Sequence, residues 1–238
     1  MVFTRTLSNE ELKALKKIIE FVKVKHNRAE GHDYSHVLQV VRHSIEIGRT
    51  IKEKCDPFIT LCGALLHDIG KVDKTEGTFH GLDGGSRAEE FLESLMEDEY
   101  IINKIERVIV RHTPTSMIPP EAVEEKVVYD ADAIERLGFM GTVRALMGKK
   151  GTMREIIESK VHTRMQDYDK LFFPASKKIG KKAHQETIQM CRSLKEKLKE
   201  RIEEIEEMDE ITEIAPEIKK RGALKSRTVE QLKKKTER

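Results

Sequence analysis

Nearly every segment of this chain spaces its apolar residues as an amphipathic helix does, and no stretch sustains the two-residue alternation of a half-buried strand. The pattern predicts an all-α fold. Ser8 followed by Glu11 reads as a capping box, and Leu12, Leu15, Ile18, Ile19 and Val22 then trace the inner face of a first helix that ends near Gly31. Asp33 reads as the N-cap of a second helix, which turns Val37, Val40, Val41 and Ile45 inward. A third helix follows Pro57. It is apolar almost throughout from Phe58 to Ile69 and therefore belongs in the core. The stretch from Val72 to Gly85 is rich in Gly, Asp and Thr and predicts a loop before a helix over about Ser86–Met96. Further helices are predicted through Ile101–Ile109, about Glu121–Leu137, Thr142–Met147 and Met153–Phe173, with a long one over Ala175–Met208.

With 238 residues, 38% of them hydrophobic, the chain can bury a core that needs neither a disulfide nor a metal merely to fold. Any metal here is then functional first. Cys55, Cys62 and Cys191 form no CxxC or CxxH pair, which fits a reducing cytoplasm. No apolar run approaches the roughly 18 residues of a membrane span, so no membrane partner is expected. The formal net charge of +2 gives the whole molecule little reason to bind nucleic acid. It is unevenly placed, because residues 217–238 hold nine Lys/Arg against three Glu, a local +6. The expected organisation is a helical body over residues 1–215 and a basic extension over 216–238.

The nine histidines are what separate this chain from a plain helical bundle. His67 and Asp68 lie side by side in the apolar run Leu65-Leu66-His67-Asp68-Ile69-Gly70-Lys71. A lone pair of this kind is commonly a histidine bonded to a carbonyl beside an aspartate that caps a turn. Here His36 stands 31 residues earlier, in Gly31-His32-Asp33-Tyr34-Ser35-His36, and Tyr129-Asp130-Ala131-Asp132 brings carboxylates into a later apolar helix. Imidazoles and carboxylates on core-facing helices make a mixed nitrogen and oxygen donor set, suited to Mn²⁺, Fe²⁺, Co²⁺, Ni²⁺ or Zn²⁺. Such a cation with open positions suits hydrolysis of a phosphate ester. There is no P-loop or dinucleotide-binding fingerprint, so a nucleotide here is a substrate and not a resident cofactor.

The order His36, His67-Asp68, Asp132 resembles the H…HD…D signature of the HD-domain superfamily of metal-dependent phosphohydrolases. The LLHDIGK and DADAIERLG contexts are similar to those of its small stand-alone bacterial and archaeal members, over about residues 28–200. The resemblance implies an all-α HD bundle, here with a long C-terminal helix, and a metal held by His36, His67, Asp68 and Asp132. It implies a nucleotide or other small phosphate ester as substrate. Asp130 then orients a ligand or water, and Asp68 orients the attacking water or accepts its proton. Glu135 departs from the aspartate common in that subgroup. His80 and His112 occupy the intervals where binuclear members carry further ligands, so each is a candidate for a second metal or for contact with substrate.

Lys71, one turn after the His-Asp pair, is a candidate phosphate contact, and Arg111, Arg136, Arg144 and Lys170 are further candidates for a phosphate clamp. Two rivals stand beside a nucleotide hydrolase. One is an RNA or cyclic-nucleotide phosphodiesterase whose basic extension holds a polyanion. The other is a catalytically silent, metal-bearing nucleotide-binding module. The apolar positions Ile188, Cys191, Leu194, Leu198, Ile202 and Ile205 of the long helix can pack on the bundle or form the seam of a homodimer.

Overall fold

The computed structural model describes residues 3, 5–28, 31–72, 79–113, 118–147 and 149–212. Among these the chain is all-α: nine α-helices joined by turns and three short 3-10 segments, with no strand. The helices are α1 (Asn9–Lys25), α2 (Tyr34–Thr50), α3 (Pro57–Leu66), α4 (His80–Glu93), α5 (Glu99–Arg111), α6 (Val123–Glu135), α7 (Gly138–Leu146), α8 (Met153–Gln166) and α9 (Pro174–Thr212). The described residues divide into two units after Cys191. The basic segment and the boundary expected at residue 215 lie outside the described residues. No helix among those described is long and apolar enough to cross a membrane.

The expected starts are where the capping chemistry puts them. Ser8 Oγ accepts from the Glu11 amide, and the Glu11 carboxylate accepts from the Ser8 amide, closing the capping box of α1. Asp33 accepts from the His36 amide at 3.0 Å and so starts α2 with His36 in its first turn. Asp56 accepts from the Phe58 and Ile59 amides, with Pro57 already holding a helical φ, and this starts α3. Because α3 is apolar on every side, it is buried in the middle, contacted by α1, α2, α5 and α6. Gly63 allows the approach of α5, since a Cβ there would fall 2.3 Å from a methyl of Val108.

The helix expected over Met153–Phe173 ends at Gln166, before the 3-10 segment Asp167–Lys170, and the one expected from Thr142 begins at Gly138. Two further boundaries that differ from the sequence reading shape the site. α3 stops at Leu66, so His67 and Asp68 sit in a turn before the 3-10 segment Ile69–Lys71 and not inside a continuous helix. The end of the predicted Val72–Gly85 loop is helix, because α4 already begins at His80; residues 73–78 lie outside the described part. The cause of both is a close contact between backbones. A Cβ on Gly70 would fall 2.2 Å from the His80 carbonyl oxygen and 2.8 Å from the Gly84 amide nitrogen. Glycines that look like loop formers in the sequence instead let the start of α4 press onto the end of α3.

Candidate metal centre

Five places in the chain meet at one buried point. α2 supplies His36, the turn after α3 supplies His67 and Asp68, α4 supplies His80, the end of α5 supplies His112, and α6 supplies Asp132. None of these six residues is more than 6% exposed. His36 Nε2 and His67 Nε2 are 3.1 Å apart. Asp68 Oδ2 lies 3.3 Å from each of them, and Asp132 Oδ1 lies 3.7 Å from His36 Nε2. Ligand atoms that each stand about 2.1 Å from one cation are separated by roughly 3–4 Å, so these spacings fit a shared ion.

The outward ring nitrogens sharpen the test of fit. His67 Nδ1 donates to the Ala64 carbonyl at 2.9 Å, and His112 Nδ1 to the Ile109 carbonyl at 2.5 Å. His36 Nδ1 lies 3.1 Å from Glu135 Oε2. For His67 and His112 the proton is held on Nδ1 by a backbone carbonyl, which leaves the Nε2 lone pair directed into the centre. The Nε2 atoms of His36 and His67, at 3.1 Å, repel unless a proton or a cation lies between them. The donor set therefore fits a divalent transition metal.

Asp68 also faces a second group. Its Oδ1 lies 3.4 Å from His112 Nε2, 3.9 Å from His80 Nε2 and 3.2 Å from Lys71 Nζ. Buried Asp68 Oδ1 and His112 Nε2 have no hydrogen-bond partner of sound geometry. The ligand-type atoms thus fall into two sets, His36, His67 and Asp132 on one side and Asp68, His80 and His112 on the other, each able to hold a metal. Burial pushes the Asp68 and Asp132 carboxyls up, but Lys71 and His67 beside Asp68, and His36 and His67 beside Asp132, outweigh it and hold both well below the usual range. Burial pushes His67 down, toward the neutral form a ligand needs.

The remaining candidates divide. His80 sits in the first turn of a helix, buried, and not in a loop. Lys71 is at the mouth, its Nζ 2.9 Å from His32 Nε2. Asp130 does not turn toward the centre as expected: its carboxylate accepts from the Phe172 and Phe173 amides, so it ties α6 to the start of α9. The orienting carboxylate is Glu135, one turn beyond Asp132 on the same face of α6. Arg111 is a brace, donating to the Pro119 carbonyl and pairing with Glu121 at 3.0 Å. Arg144 pairs with Glu135, donates to the Gly31 carbonyl and lies just behind His36. Arg136 pairs with Asp167 at 3.1 Å, and Lys170 lies 3.9 Å from the same carboxylate. The sequence reading missed Arg164, which also reaches Asp167 at 3.0 Å, although the RxxD spacing was there to be seen.

Comparison with known proteins bears on the family and the fold. The family model of the HD domain matches residues 33–137, the span from the cap of α2 to the end of α6. The chain is 31% identical to the Bacillus subtilis protein YpgQ over 146 residues, covering 60% of this chain and 70% of that protein. The crystal structure of YpgQ in complex with ADP superposes with a TM-score of 0.61 at 24% identity, covering 79% of this chain and 96% of the other. An HD-superfamily hydrolase from Bacillus thuringiensis gives a TM-score of 0.58 at 22% identity, with 79% and 98% covered.

Proposed function

This chain belongs to the HD-domain superfamily, and from that membership we propose that it is a metal-dependent phosphohydrolase acting on a nucleotide or another small phosphate ester. The observation that carries the reading is the set of inward-facing Nε2 atoms around Asp68, with the Nδ1 protons of His67 and His112 held outside by backbone carbonyls. His36, His67, Asp68 and Asp132 would hold the ion. A divalent cation there supplies an acidified water and neutralises charge that develops on a phosphoryl group. Asp68 joins the two groups and orients the attacking water, while Lys71 draws a phosphate oxygen toward the mouth. Glu135 holds the His36 ring in the orientation that binding requires. The ADP bound by YpgQ supports a nucleotide as the substrate class.

The second group, Asp68 with His80 and His112, favours a second ion beside the first. The purified protein should release phosphate or pyrophosphate from members of a nucleotide panel when supplied with Mn²⁺, Co²⁺ or Ni²⁺, and should lose this activity with chelator. Asp68→Ala should lower turnover by roughly 10³-fold or more with the fold retained. Full metal-dependent hydrolysis by that variant would sink the assignment. His112→Ala should bind one equivalent of metal fewer per chain than the wild type, measured by metal analysis. Deleting residues 217–238 should leave nucleotide turnover as it was; loss of activity together with its salt dependence would favour the polynucleotide reading.

A further inference from the structure

The part of α9 that follows Cys191 combines an apolar stripe with two blocks of opposite charge. Cys191 itself is fully buried. Beyond it Leu194, Leu198, Ile202 and Ile205 recur every three or four residues, which sets them on one face of the helix. All four are only half-buried, while the residues between them are mostly exposed. A surface helix holds its shape in water mainly by covering such a face against another element.

Charge is divided along the same stretch. Residues 192–201 hold five Lys/Arg against two Glu, a local +3, and residues 202–207 hold four Glu and no Lys or Arg, a local −4. Two pairs within the helix, Lys197 with Glu200 at 2.6 Å and Lys199 with Glu203 at 3.2 Å, answer part of this. Both pairs are exposed and so contribute little. Arg192, Lys195 and Arg201 remain in the basic block, and Glu204, Glu206 and Glu207 in the acidic one. A helix that is basic first and acidic later is best covered by the same helix running the other way. A parallel copy would set like charges side by side, which opposes pairing.

We propose that α9 beyond Cys191 is a self-association surface, on which the same segment of a second copy of this chain packs antiparallel. Leu194 then meets the partner's Ile205, and Leu198 meets the partner's Ile202. The same register sets Arg192 beside the partner's Glu207 and Lys195 beside the partner's Glu204. The interface is two-fold symmetric, so each of these pairs occurs twice.

The test is the oligomeric state of the full-length protein, measured by analytical ultracentrifugation over a wide range of concentration. Wild type should be a dimer that dissociates on dilution. Leu198→Asp should raise the dissociation constant about 100-fold or more, because it puts a carboxylate without a partner in the middle of the seam. Glu204→Lys should raise it about tenfold, and combining Glu204→Lys with Lys195→Glu should restore it. Direction is read by disulfide trapping: in an equal mixture, Leu194→Cys and Ile205→Cys should cross-link with each other in preference to themselves. A wild type that is monomeric at every concentration, a dimer indifferent to Leu198→Asp, or cross-linking of like with like alone overturns the proposal. If Leu198→Asp loses helix by circular dichroism, the charge pair decides: weakening by Glu204→Lys with rescue by Lys195→Glu supports the antiparallel seam, and any other pattern overturns it.

Discussion

Glu135 occupies a position between two kinds of chemistry. Its Oε2 faces His36 Nδ1 at 3.1 Å and also pairs with Arg144. Glu135→Ala should weaken metal affinity about 10–100-fold, read by competition with a chromophoric chelator, because the ring it orients is then free to turn. Asp130 makes a contrasting prediction. Burial pushes its carboxyl up to about 6, even though two backbone amides donate to it. The folded chain therefore takes up a proton more readily than the unfolded chain. The group favours folding fully below pH 4, and that advantage is lost as the pH rises through 6. The swing is at most about 3 kcal/mol. The melting temperature of Asp130→Asn relative to wild type should rise between pH 4 and pH 7; a difference that does not vary with pH would refute the account. His36, His67, Asp68 and Asp132 were legible in the sequence because their order and neighbours are distinctive. The parts of Asp130 and Glu135 were not, since both share an apolar helix and only side-chain direction tells them apart.

At the scale of elements, caps and apolar periodicity were enough to place most helices. Ser8, Asp33 and Asp56 each accept the amide bonds that their positions imply. The failures that bear on the site lie at the junction of α3 and α4. A glycine-rich stretch signals a loop when read locally, but Gly70, Gly81 and Gly84 serve contact between segments: a Cβ on Gly81 would meet the Val110 carbonyl oxygen at 2.8 Å. Such contact depends on pairing distant backbone and leaves no periodicity to read. Gly70→Ala should cost about 2–3 kcal/mol in denaturant unfolding, because backbone cannot swing aside as a side chain can. It should also weaken metal binding, since the turn that carries His67 and Asp68 must move away from His80.

For the whole molecule, the sequence announced an all-α body, and the compact unit over residues 1–191 is helical throughout its regular elements. Of the two arginines on Asp167, Arg164 stands at a spacing the sequence displays, whereas Arg136 comes from the end of another helix and is a neighbour only in space. A metal that binds the folded chain alone stabilises it by about 4 kcal/mol when present at a thousandfold excess over its dissociation constant. Chelation should accordingly lower the melting temperature of wild type, and should do so far less for Asp68→Ala.

The donors are scattered from His36 to Asp132, and the helix that carries Asp132 is fastened through Asp130 to the amides of Phe172 and Phe173. A chain emerging from the ribosome thus exposes histidines long before it owns a cage. Ions met early find only single imidazoles, whose grip is weak and reversible. On the metal-dependent reading proposed above, capture would wait until the α9 start has been made and α6 is latched in place.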